Sequence, residues 1–114
     1  MSMDVLFAGI ATRDLALIQP WYERFFGRPP DMSVSADEVM WQVTDTAWLY
    51  LVVNAHPSDH ALITIAVADL RAASDAINER GLASRAVEDI EGAGRKAIYS
   101  DPAGNTVTLI EVAD

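Results

Sequence analysis

Two histidines, seventeen carboxylates and no cysteine bound the chemistry open to this chain. Without thiols there are no disulfides, no thiolate zinc sites and no cysteine nucleophile. Ser58-Asp59-His60 holds the residue types of a hydrolytic triad. Those roles need a nucleophile, base and acid oriented against one another, and three sequence neighbours do not supply that geometry. Asp37-Glu38 and Glu88-Asp89 read as exposed hairpin charges rather than paired acids. Gly92-Ala93-Gly94 is followed by no helix start, so it is not a phosphate loop. Arg95 and Lys96 alternate on one extended segment, so only one of them can face a cleft, and Arg95 is expected either to pair with an anionic ligand or to stand at the rim. His56 has no evident partner. The side chains that remain are aromatic and hydroxylic, and they suit binding better than bond-making.

The charge narrows the choice of partner. The net charge is −9, and the basic residues are Lys96 and seven scattered arginines. With no basic stripe, nucleic acid is not an expected partner. The acidity favours solubility and, more sharply, attraction of a cationic ligand. No apolar run reaches membrane-spanning length, and residues 1–4 carry no signal-like start, so the expectation is a cytoplasmic protein with no membrane partner. A length of 114 residues fits a single domain with its own core.

The elements that must position these groups come in two sets. Ile10-Ala11-Thr12-Arg13-Asp14-Leu15 is echoed by Ile65-Ala66-Val67-Ala68-Asp69-Leu70, and Glu23-Arg24 by Glu79-Arg80, with Gly27 and Gly81 as expected helix terminators. Residues 5–11 read as a strand. Asp14 is placed to cap a helix whose apolar face is Leu15, Ile18, Tyr22 and Phe25. Pro20 should bend that helix or delay its start. Residues 32–35, 39–43 and 47–53 read as strands, with Asp45-Thr46 as the last turn. After a linker at 54–59 the order repeats: a strand at 60–67, a helix marked by Leu70, Ala73 and Ile77, and strands at 85–89, 95–100 and 106–112. Each half is thus strand-helix-strand-strand-strand, over residues 4–54 and 60–113.

Strand alternation sorts the side chains into two faces. Leu6, Ala8, Ile10, Leu49, Leu51, Ile63, Ile65, Val107 and Leu109 form an apolar set expected beneath the helices. The opposite set carries Phe7, Trp48, Tyr50, His60, Leu62, Thr64 and Thr108, a mix of aromatic, hydroxyl and imidazole groups typical of small-molecule pockets. Trp41 and Arg95 complete the expected ligand-binding residues.

Tyr99-Ser100-Asp101-Pro102-Ala103-Gly104-Asn105-Thr106-Val107 resembles the strand-DPxGN-strand signature of the glyoxalase/bleomycin-resistance/extradiol-dioxygenase superfamily, the vicinal oxygen chelate fold. Ile10 to Leu15, Pro20-Trp21-Tyr22 and Phe26-Gly27 look like that family's first strand, helix start and helix exit. Ile65 to Leu70 looks like the same start in the second half. The resemblance spans nearly the whole chain. It implies an α+β fold of two βαβββ modules forming a curved mixed sheet around a cleft, with helices on the outer face, and it accommodates Pro20.

The resemblance also supplies a test for metal. Metal-binding members usually place His, Glu or Gln at four cleft positions, which fall here on Phe7, Leu62, Thr108 and, less securely aligned, Tyr50. None of the first three is a usual ligand for zinc, iron or nickel, and tyrosine is one only rarely. His60 lies two residues from Leu62, and Glu111 should point away. The expectation is no metal and no cofactor, with no catalytic residue assigned. The reading favoured is a small-molecule-binding protein holding an aromatic or cationic organic ligand, with antibiotic resistance as the family precedent. The alternative is a metal-dependent lyase or dioxygenase with an atypical ligand set; a third is an interaction module with a filled cleft. A homodimer is expected, with Leu17 and Trp21 widening the apolar face of the first helix toward a two-fold interface.

Overall fold

The computed structural model describes residues 2–57, 60–92 and 94–112. Ser58 and Asp59 of the triad-like run, and Ala93, lie outside the described residues. The first module runs β1 (Leu6–Thr12), α1 (Leu15–Phe26), β2 (Met32–Ser35), β3 (Glu38–Thr44) and β4 (Ala47–Val53). The second runs β5 (Leu62–Ala66), α2 (Leu70–Glu79), β6 (Ala86–Ile90), β7 (Gly94–Ser100) and β8 (Thr106–Val112). Each module makes a four-stranded mixed sheet, ordered β1-β4-β3-β2 and β5-β8-β7-β6. The opening strand pairs parallel to the closing one, and the other pairs are antiparallel. This is the expected α+β fold of two βαβββ modules. Its strands form two four-stranded sheets rather than one continuous sheet, with β1 and β5 as edge strands.

Local chemistry starts and stops the helices as the repeat implies. The Asp14 carboxylate accepts from Ala16 N at 2.9 Å, and the Asp69 carboxylate from Ala72 N at 3.0 Å, each satisfying an orphan donor of the first turn. Gly27, at φ 76°, closes α1 in the left-handed conformation that a side chain would resist. Pro20 neither delays nor interrupts α1. The donor it lacks would have met Ala16 O, and both residues are exposed, so water can serve that carbonyl. At the corner after α1, Arg28 pairs with Asp31 at 3.0 Å. The Arg28 guanidinium and the Gln42 backbone N–H hold the Asp31 carboxyl below its usual range.

One core joins the modules. Ile10, Ile18, Tyr22, Phe25 and Leu49 of the first half are buried in the same cluster as Leu70, Ile77, Tyr99, Val107 and Leu109 of the second. Phe25 meets Tyr99 edge-on with ring centroids 5.4 Å apart. Arg80 crosses from the second module to donate to Arg24 O and, at 2.8 Å, to Phe25 O, placing a cation at the negative end of α1. The DPxGN turn makes the deepest junction. Asp101, 5% exposed, accepts from Ala103 N, Asn105 N, Asn105 Nδ2 and the Tyr22 hydroxyl, all within 2.9 Å. Asn105 Oδ1 in turn accepts from Ala61 N at 2.7 Å, just ahead of β5. Burial first, then the charge of Asp101 and its hydrogen bond, push the Tyr22 phenol far above its ordinary value. Among the described residues no helix is long and apolar enough to cross a membrane.

Candidate ligand-binding site

The faces of the two sheets turned away from the helices carry most of the residues singled out by alternation. In the first sheet the register sets Phe7 beside Trp48 and Gly9 beside Tyr50, with Met40 on the other side of Tyr50. The Phe7 and Trp48 rings lie 6.4 Å apart and 20° from parallel. Phe7 is 53% exposed, a high value for a phenylalanine inside a strand. In the second sheet Leu62 pairs with Thr106 and Thr64 with Thr108, with Ile98 across from Thr108. Leu62 is 80% exposed. One open face is therefore aromatic and the other aliphatic and hydroxylic.

Two of the expected ligand contacts are corrected. Trp41 is fully buried on the helix side, against Tyr22 and Phe26, and its indole N–H donates to Arg28 O at 3.0 Å. The cause is an irregularity in β3. Thr44 faces Ala47, but by Gln42 the partner is Trp48 and not Leu49, so Trp41 faces Leu49. A regular ladder from the Asp45-Thr46 turn would have put Trp41 opposite Tyr50 on the open face. One bulged residue reverses the side on which every later residue lies. Arg95 also lies on the helix side, opposite Glu111, and pairs with Asp89 at 3.1 Å. Its neighbour Lys96 takes the open face, across from Ile110, with its ammonium 3.5 Å from Glu88. The pairing of Ser100 with Thr106 across the DPxGN turn carries this parity, and it was the signal that could have selected Lys96.

His60 precedes β5 and does not join the Phe7 group. Its ring covers Gly104, where an added Cβ would come within 3.0 Å of the imidazole Cε1. It borders a recess of about 250 Å³ shared with Thr12, Arg13, Leu17 and Asn105. A groove of about 240 Å³ follows the seam between the modules, walled by Leu6, Ala8, Trp48, Ile63 and Thr64. Of the expected contacts, only Trp48 and Thr64 share that groove.

The four positions that would hold a metal carry Phe7, Leu62, Thr108 and Tyr50, which do not fit one: three offer no usual donor, and no imidazole or carboxylate stands among them. Glu111 is engaged elsewhere, its carboxylate accepting from Leu70 N at 2.9 Å at the start of α2. Among the described residues no three His, Asp or Glu side chains converge.

Fold and site together define a two-module βαβββ protein with open sheet faces. A glyoxalase/bleomycin resistance protein from Catenulispora acidiphila is 32% identical, over 97% of this chain and 100% of that one, with a TM-score of 0.90. The chain belongs to that family. A bleomycin resistance determinant encoded on the transposon Tn5 is 19% identical, over 96% of this chain and 98% of that one, with a TM-score of 0.77. A lactoylglutathione lyase from Agrobacterium tumefaciens is 16% identical, over 97% and 95%, with a TM-score of 0.75. Those two share the fold. No family model and no curated protein matches the chain.

Proposed function

We propose that the protein binds a small planar organic molecule on the aromatic open face of its first module and holds it without changing it. The observation that carries this reading is the strip of exposed Phe7 and half-buried Trp48 and Tyr50, aromatic surface that folding leaves partly uncovered. Planar rings stack favourably on such side chains, and the net charge of −9 favours a cationic ligand over an anionic one. Sequestration of an antibiotic agrees with the bleomycin resistance determinant of the same fold. The lack of His, Glu or Gln at the four metal positions supports binding over metal-dependent lyase chemistry. Titration of planar cationic antibiotics should change the tryptophan fluorescence saturably. A flat response across planar molecules of either charge would overturn the reading.

The binding form is a homodimer. β1 and β5 are edge strands, and their exposed Leu6 and Leu62 present apolar surface beside unpaired backbone groups, a combination that soluble chains cover. This moves the expected interface. Trp21 stacks on Phe25 with centroids 5.2 Å apart, so its ring is largely used within its own chain. Sedimentation equilibrium should give twice the 12.4 kDa chain mass, and a clean monomer would remove the dimer from the proposal.

A further inference from the structure

We propose that Gly9 and Tyr50 form a specificity device within the aromatic face, selecting planar molecules that carry a ring oxygen, a hydroxyl or a carbonyl. The inference rests on the reading of that face as the ligand site. Gly9 lies in the middle of β1, where a β-branched residue would be the ordinary choice. It is not among the glycines of positive φ, so its backbone does not demand glycine. Space does. The Tyr50 ring folds across β1 directly over Gly9. A Cβ at residue 9 would fall inside the envelope of the ring, onto Cζ and Oη and within 2.7 Å of Cε2. The missing side chain is the slot in which the phenol lies.

The slot fixes the one phenol of this face. Among the described residues Tyr50 Oη has no hydrogen-bond partner, and it is not one of the buried unpaired atoms, so it is open to a ligand. Tyr50 follows Trp48 on the same face of β4, about 7 Å along the strand. That is roughly the breadth of one fused ring. A planar ligand stacked on Phe7 and Trp48 thus brings its edge to the Tyr50 hydroxyl. That group can donate to a carbonyl or exchange hydrogen bonds with a phenol. A purely hydrocarbon edge would leave it unpaired at a desolvated surface, which costs binding.

The test uses two probes of equal shape, 1-naphthol and 1-methylnaphthalene, measured by equilibrium dialysis. The wild-type chain should favour the naphthol by about fivefold, the scale of one net hydrogen bond. Tyr50→Phe should bring that ratio close to one, weakening naphthol binding more than methylnaphthalene binding. Gly9→Ala should also abolish the ratio. The atoms it strikes are the far end of a movable side chain, so the chain should still fold, as far-UV circular dichroism will show. Wild type that binds both probes, with a preference surviving Tyr50→Phe, overturns this inference and leaves the cleft reading standing. Binding of neither probe overturns this inference, while the cleft reading falls only if the planar cationic molecules also leave the tryptophan fluorescence unchanged. A preference retained in folded Gly9→Ala removes Gly9 from the device.

Discussion

The two modules share an element order, a pair of aspartate helix caps and a mixed sheet, yet they divide the remaining tasks unequally. The first module's open face is aromatic, while its closing turn, Asp45-Thr46, is exposed and held within its own module, by Leu6 N on Thr46 O at 2.8 Å, Thr46 N on Thr44 Oγ1 at 3.3 Å and Gln42 Nε2 on Asp45 O at 3.4 Å. The second module's open face is threonine and aliphatic, while its closing turn buries Asp101 and Asn105 and reaches into its neighbour through Asp101 and Tyr22. Two copies of one plan thus free each other: the half that secures the junction need not supply the aromatic strip. The helices follow the same division. α1 touches both modules, whereas α2 lies against its own sheet and makes a narrower contact with α1.

The widest contrast is between Trp41 and Trp48, seven positions apart on adjoining strands. Trp41→Ala empties a fully buried site and leaves the Arg28 carbonyl without its donor, so it should cost about 3–5 kcal/mol in urea unfolding. Trp48→Ala should cost only about 1 kcal/mol and act instead on ligand binding. Equal losses from the two variants would undo the separation of core from cleft.

Next come the turns. Asp101→Ala strips the acceptor from four donors around a buried site and should destabilise by about 3 kcal/mol. Asp45→Ala, at the corresponding exposed turn, should stay within about 0.5 kcal/mol. Similar effects from both would show that the junction does not carry the load described.

The smallest effect is in pH. Burial, and then Asp101, raise the Tyr22 phenol above the ordinary 10.0, so the folded chain holds a proton that the unfolded chain gives up. The resulting stability is complete below pH 10 and is lost as pH rises from there toward the folded value. Thermal melts of wild type should therefore fall more steeply above about pH 10 than those of Tyr22→Phe. Parallel slopes would detach the phenol from alkaline unfolding.

Much of this was written in local pattern. Alternation and the aspartate caps located every strand and both helices to within about two residues, because period and capping are properties of neighbours in sequence. The DPxGN run marked the fold. What escaped was the side on which particular residues lie. Trp41 changed faces through one bulged residue in β3, and no residue type there announces a bulge. Arg95 was misplaced although the pairing across the last turn favoured Lys96. The Tyr22–Asp101 bond joins residues 79 apart, and only packing reveals a partner at that distance. The role of Gly9 was equally silent, since an open glycine in a strand tells nothing of the ring that fills it.

The Tyr22–Asp101 bond also sets an order of events at the ribosome. The first helix is made early, but its central hydroxyl gains a partner only when the last hairpin has left the exit tunnel. Until then the phenol and the apolar side of α1 that meets Tyr99 have no native cover, and the nascent half-protein is a substrate for proteases and chaperones rather than a finished domain. Ribosome-bound chains stalled before Asp101 emerges should be cleaved near α1 by a dilute protease, and those stalled beyond the full chain should resist. Early resistance would mean that the first module completes itself alone.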